Sequence, residues 1–256
     1  MRRLGCAAVI CWATLAPAQA ETADRSTTLE VAHERASLSN GQTDWRETSL
    51  QIGHRYAPRQ AAGLALRQTH RFGLDDTAID LSGSQPLGER FTASLEASAS
   101  PTHRVLAKHA LGASLQYEFA PAWLLHTGLK NTRYDNANAN VNVSQGLLML
   151  ERYVASFSGS IAWRPVSALG THAHGFELRG NYYYGDKSMV GLILASGQEA
   201  TTVSSQTVAL ADVRSVALLG RHWVRDDWAV TYAISRTRQG SFYDRNGVRL
   251  GVQYAF

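Results

Sequence analysis

Serine and histidine lie close together in one stretch of this chain. Ser98, Ser100, His103 and His109 fall within twelve residues, with Glu96 just before them and His222 far downstream. Together they hold the ingredients of nucleophilic hydrolysis, a hydroxyl with a base and an acid or amide to orient it. No Gly-x-Ser-x-Gly elbow accompanies them, and sequence spacing alone does not bring a hydroxyl to a ring nitrogen. His172-x-His174 offers two metal-ligand side chains, but no acidic residue or third histidine is near enough to complete a site. It reads as a solvated loop. Phosphate loops, dinucleotide fingerprints and calcium loops are absent. The expectation is therefore no metal, no cofactor and no enzymatic activity. A Ser/His lipid hydrolase in the wall of the fold is the less favoured alternative.

The other group with chemistry is charged and of mixed sign. Arg67, Arg71, Glu96, Glu177, Arg179, Arg221 and Arg249 are its main members, with Glu47, Arg55, Asp80, Glu118, Lys130 and Arg164 in matching positions. Each falls between apolar residues at a spacing of two. In the last nine residues Val248, Leu250, Val252, Tyr254 and Phe256 alternate with Arg249, Gly251, Gln253 and Ala255. Such alternation puts the two sets on opposite faces of a strand. The pattern recurs in about fourteen segments of roughly ten residues, the length of a tilted membrane-spanning strand. The clearest apolar faces are Leu50-x-Ile52, Leu64-x-Leu66, Phe91 to Ala99, Leu111 to Phe119, Phe176-x-Leu178, Val190 to Leu194 and Trp228 to Ile234. Weaker segments lie near 27–38, 77–85, 143–153 and 212–224. Leu147-Leu148-Met149-Leu150 leaves the phase of the third of these open.

Composition narrows the class. Arg2 and Arg3, the apolar run Cys6 to Leu15 and the small-x-small triplet Ala18-Gln19-Ala20 form a secretory signal, with cleavage expected before Glu21. Residues 1–20 are thus the signal and 21–256 the mature domain. Both cysteines, Cys6 and Cys11, leave with the signal, so the exported chain has no disulfide framework. The full chain has 25 basic and 21 acidic residues and a net charge of +4, of which Arg2 and Arg3 account for two. That balance gives no reason to expect nucleic acid as a partner. No stretch after the signal is long and apolar enough for a membrane helix.

The connections are expected to alternate in length. Ala57–Gln60, Pro86–Glu89, Ala120–Ala122, Arg152–Ala155, Gly185–Ser188 and Val224–Asp227 read as tight turns. Ser100–Lys108, Asp135–Asn142, Pro165–Gly175, Gln198–Ala211 and Arg238–Gly247 read as longer loops, with Ser39–Asp44 and Phe72–Asp76 short exceptions. Short periplasmic turns opposite longer outer loops are a feature of transmembrane barrels. Prolines 58, 86, 101, 121 and 165 are expected between strands. Tyr56, Phe72, Phe119, Trp123, Trp163, Tyr182, Tyr184, Trp228, Tyr254 and Phe256 are placed for aromatic girdles. The fold expected is all-β: an antiparallel transmembrane β-barrel of about fourteen strands, twelve if one weak pair is misread. The last strand, with Tyr254 and Phe256, resembles the closing strand of bacterial outer-membrane barrels, and that resemblance implies an assembly signal at these two residues; Arg249 is expected to face the lumen near the outer rim.

Several strings carry a family resemblance. Asp44-Trp45-Arg46, Arg71-Phe72-Gly73-Leu74, Glu96 through Leu106, Glu151-Arg152-Tyr153, Tyr182 through Asp186, Asp212-Val213-Arg214-Ser215 and Gly220-Arg221-His222-Trp223, with Gly240 and the last strand, resemble the YaiO family of outer-membrane β-barrels. The resemblance runs over nearly the whole mature chain. It implies an outer-membrane location, lipopolysaccharide and the barrel-assembly machinery as surroundings, and an association with envelope glycan or exopolysaccharide secretion components. It implies no catalytic residues. The function expected is a narrow, mixed-charge channel for a hydrophilic solute, against the alternative of a non-conducting structural barrel.

Overall fold

A computed structural model describes residues 27–136, 139–185, 187–204 and 207–256. The signal residues, Ala18 and Ala20 included, lie outside them. The described chain is fourteen antiparallel strands: β1 (Thr27–Leu38), β2 (Trp45–Ala57), β3 (Gln60–Arg71), β4 (Leu74–Pro86), β5 (Phe91–Ala99), β6 (His109–Ala120), β7 (Trp123–Asn136), β8 (Ala139–Val154), β9 (Phe157–Ala168), β10 (Thr171–Tyr184), β11 (Ser188–Ser204), β12 (Thr207–Trp223), β13 (Trp228–Gln239) and β14 (Tyr243–Ala255). Each pairs with its sequence neighbours. β14 closes on β1 from Thr28 opposite Ala255 to Leu38 opposite Arg245. All four weak segments are strands, so the count of fourteen stands. Closure leaves no sheet edge, which a bilayer demands because lipid offers the backbone no hydrogen bonds.

The barrel is inside-out by the standard of a water-soluble fold. Leu95 is 64% exposed and Leu129 76%, and Leu50, Leu111, Ile161, Phe176, Leu218 and Leu250 belong to the same outward band. A continuous apolar band of this kind needs lipid against it. The buried set points inward and includes many small, polar or charged residues, such as Ala32, Ala78, Thr69, Asp76, Ala229 and Arg245, beside larger apolar ones such as Trp45, Val141, Val143 and Tyr243. Alternation therefore sorts side chains between lipid and lumen. In β8 it resolves the ambiguous leucines: Leu148 and Leu150 are exposed on the outside, while Leu147 and Met149 are shielded within.

One end of the barrel is made of tight turns. Pro58-Arg59 and Pro121-Ala122 each put positive φ on their second residue (62° at Arg59, 63° at Ala122), with a register shift in the preceding strand. Here the aromatic girdle is dense. Phe91 stacks on Tyr117 at 4.6 Å, Phe157 meets Tyr182 at 4.9 Å, and Trp228 meets Tyr254 at 4.8 Å, with Phe256 continuing the row.

The other end differs from expectation. Among the described residues, only Ser100–Lys108 of the long loops expected there remains a loop, joined by 39–44. Pro165–Gly175, Asp135–Asn142, Gln198–Ala211 and Arg238–Gly247 are mostly strand. β8, β11 and β12 run to 16, 17 and 17 residues. An antiparallel hairpin outside the membrane satisfies its own ladder, so strands can continue past the bilayer. Phe72-Gly73 and Leu169-Gly170 close two of these hairpins with positive φ on both residues (55° and 76°, 53° and 74°). That conformation matches the right-handed twist of the strands. His172 and His174 consequently lie in β10, not in a loop. Pro165 lies inside β9, where the β8–β9 ladder is interrupted opposite Gly146 and Leu147. A proline has no N–H to give the ladder. An alanine-sized side chain at 146 would meet the Pro165 ring at 2.8 Å, so Gly146 makes room for it.

Candidate functional site: the lumen

The inward faces form a charged lumen in which most groups are paired. On β2–β4, Arg67 binds both oxygens of Asp80 (2.6 and 3.0 Å) and approaches Glu47 at 3.6 Å. Arg71 reaches the same Glu47 oxygen at 3.3 Å, and the Thr69 hydroxyl donates to it at 2.9 Å. On the facing edge of β1, Glu30 accepts from Arg249 at 2.6 Å and from Thr231 at 3.3 Å. Across β5–β7, Lys130 meets Glu96 at 2.8 Å, spanning Gly112, whose missing side chain leaves space for the Glu96 carboxylate. On β9–β10, Glu177 lies between Arg164 (3.3 Å) and Arg179 (3.5 Å). His126 and Glu151 pair at 3.0 Å on β7–β8. Charges drawn out of water need such partners, and each pair here has one. The Glu96 side chain nevertheless keeps 46% of its surface accessible although it points inward. Space for water therefore persists beside it.

Every expected lumen residue faces inward, but they do not form one constellation. Arg67 and Arg71 share Glu47, and Glu177 and Arg179 pair with each other. Arg249 belongs with Glu30 at mid-height of β14, not at the outer rim. Arg221 stands apart at the turn end, touching the Lys187 carbonyl at 3.5 Å, with its guanidinium 5.9 Å from the Trp223 ring. Ser98 lies opposite Asp80 and Ala110 in the ladder.

Ser100 has a different role. Its hydroxyl donates to the Thr77 carbonyl at 2.8 Å and accepts from the His103 N–H at 3.0 Å. The His103 ring Nδ1 faces the carbonyls of Ser100 and Pro101. His109 and His222 lie on outward faces; His222 contacts the Tyr184 hydroxyl at 3.3 Å. Among the described residues, no serine hydroxyl and histidine ring are hydrogen-bonded as a dyad. Nor does any cluster of three metal-ligating side chains occur among them. His174 takes the Trp163 indole N–H at 3.3 Å.

Sequence reasoning missed the mouth. Asp76, 1% exposed and inward on β4, accepts the backbone N–H groups of Arg104 (2.9 Å), Val105 (2.6 Å) and Leu106 (2.8 Å). This carboxylate draws the 100–108 loop onto the lumen side, where Val105 is buried. Trp45 also lies inward at this end, with Arg71 at 4.9 Å and Arg245 at 5.1 Å from its ring centroid, and Phe72 and Tyr243 edge-on. Phe72 is thus part of the mouth and not of a girdle. Val141 and Val143 of β8 and Val213 of β12 are buried inward, and these two strands, four apart in the barrel order, approach one another. The signals for this are Asp44-Trp45-Arg46, Arg71-Phe72-Gly73-Leu74 and Glu96 through Leu106, which the resemblance singles out without a role.

Comparison with known proteins agrees with this architecture. The model of the family described as YaiO membrane beta barrel domain matches residues 26–202. The strings at 212–215 and 220–223 and the last strand lie beyond the matched region. No curated protein matched the sequence. Among solved structures, the CymD monoaromatic hydrocarbon channel is 11% identical with a TM-score of 0.61, over 91% of this chain and 89% of that one. A bacterial polysaccharide outer membrane secretin is 9% identical with a TM-score of 0.61, over 92% and 100%. The translocator domain of the autotransporter NalP from Neisseria meningitidis is 9% identical with a TM-score of 0.52, over 92% and 90%. These likenesses are of fold. With a family match over well more than half its length and a closed lipid-facing barrel, the chain is a member of the YaiO family of outer-membrane β-barrels.

Proposed function

We propose that this barrel is a narrow, mixed-charge passage for a hydrophilic solute, and that an envelope glycan is its solute class. The observation that carries the reading is the lumen itself. It is lined by hydrogen-bonding and charged groups of both signs, and Glu96 stays accessible within it. Charge pairs that balance locally leave no strong preference for either ion sign, which suits polar, weakly charged cargo. Polysaccharide is the cargo named for one protein of similar fold, and it is the class taken forward here. Glycan secretion components are the partners this reading implies. Enzymatic turnover has no place in it, since Ser100 and His103 are committed to holding the 100–108 loop.

The test is swelling of proteoliposomes in neutral and acidic oligosaccharides of increasing size. The expected result is swelling with the smallest sugars that falls off within a few sugar units. The second reading, a non-conducting structural barrel, draws on the Trp45 stack and the inward loop at the mouth. Swelling no faster than in protein-free vesicles, for every sugar, would favour it.

A further inference from the structure

The two ends of the barrel meet the membrane differently. At the turn end the outward side chains beyond the apolar band are aromatic. At the loop end they are polar and charged, with Arg35, Arg46, Arg214, Arg236 and Arg238 among carboxylates such as Asp75, Asp212 and Asp244. Arg214 lies one outward step beyond Val216 on β12, and Arg236 one beyond Ile234 on β13, a rise of about 7 Å. Arg214 and Arg238 are directly opposite each other in the β12–β13 ladder, and both are exposed on the outer face. Like charges directly opposite destabilise an antiparallel pair. Arg236 is neutralised by Asp244 at 3.0 Å. A second opposed pair, Arg35 and Arg46, is relieved by Asp44, 2.7 Å from Arg35. Among the described residues, neither Arg214 nor Arg238 has a carboxylate within ion-pair distance: Asp244, opposite Arg238 in the β13–β14 ladder, turns to Arg236 instead. Beside Arg214 is a groove of about 410 Å³ between β10, β11 and β12, walled by His172, His174, Ser196, Gln198 and Asp212. Gln198 holds Asp212 at 3.0 Å.

We propose that Arg214 and Arg238, with this groove, bind the phosphate-bearing headgroup of the outer-leaflet lipopolysaccharide. The loop end is the outward-facing one in barrels whose short turns are periplasmic, and the outer leaflet is where the phosphorylated glycolipid lies. A phosphate between two guanidiniums converts a repulsive pair into two charge-assisted contacts, with the geometry arginine favours. The groove beside them has the hydrogen-bonding walls a sugar needs, directly above the band that takes the acyl chains. This site is on the outside of the barrel and is independent of whether the lumen conducts.

The test measures binding of diphosphorylated lipid A to the refolded full-length protein in detergent, beside its dephosphorylated form and inorganic phosphate. The variant is Arg214→Ser with Arg238→Ser. The control is Arg152→Ser, an outward arginine at the turn end whose guanidinium lies over Trp123. The double variant is expected to weaken lipid A binding by about tenfold or more, and the control to leave it unchanged. Thermal unfolding without lipid is expected to be no lower in the double variant, because a repulsive pair has been removed. Equal binding by wild type and double variant overturns the proposal. So does equal binding of the dephosphorylated lipid, or occupancy by inorganic phosphate as tight as by lipid A.

Discussion

Replacing Asp76 by alanine is expected to release the 100–108 loop from the lumen. The carboxylate holds three consecutive backbone N–H groups at 2.6–2.9 Å. Hydrogen bonds to charged groups are worth about 1.5–3 kcal/mol each, so this one side chain contributes more to the loop than any other contact it makes. Ser100 and Thr102 add two further links, to the carbonyl and the N–H of Thr77. They fix the loop's base and leave its tip to Asp76. In Asp76→Ala, trypsin should cut at Arg104 or Lys108 in the folded barrel, while wild type resists. Asp76→Asn, which keeps one carbonyl acceptor, should fall between. Identical digestion of all three proteins would show that the loop is held by something else.

The second large effect concerns Arg67. Its guanidinium binds Asp80 through two nitrogens and faces Glu47, and the side chains involved are largely shielded from water. Removing one member of a shielded ion pair costs about 3–5 kcal/mol, chiefly because the partner charge is left behind. Arg67→Met is therefore expected to lower the unfolding free energy in urea by about 3 kcal/mol, a value at the low end because Asp80 retains some access to lumen water. Glu47 keeps Arg71 and Thr69. The informative partner is Arg67→Met with Asp80→Leu, which removes both charges and should recover most of the loss. If the double variant is no more stable than the single one, the ion pair is not what the strand pairing rests on.

Where the wall touches lipid, the sequence was easy to read. The outward residue must be apolar and the inward one need not be, so the period of two survives in β5, β6, β13 and β14 and fixes which residues face the lumen. Past the bilayer that constraint disappears and even reverses. On β8 the outward set changes from Leu148 and Leu150 to Asn142 and Ser144, while the inward set changes from Met149 and Glu151 to Val141 and Val143. A segment with polar residues outside and valines inside resembles a loop if lipid is expected throughout, which is why the hairpin extensions were missed. Partnerships were hidden for another reason. His126 and Glu151 meet because β7 and β8 pair in one register, and no local pattern reports a register. Asp76 was missed because its partners are backbone groups of a loop 28 to 30 residues away, which any sequence could supply. Trp45 differs from the outward aromatics only in the phase of its strand.

The claim on which the functional account depends is that a water-filled path runs through the charged lumen and is narrowest at the mouth formed by Trp45 and the Asp76-held loop. Single-channel recording of the refolded protein in planar bilayers tests it most directly. The account predicts small, steady conductance in wild type with weak ion selectivity, and a several-fold larger conductance in Asp76→Ala. Silence of both proteins at every voltage, with insertion verified, would contradict it and leave the barrel a structural element of the outer membrane.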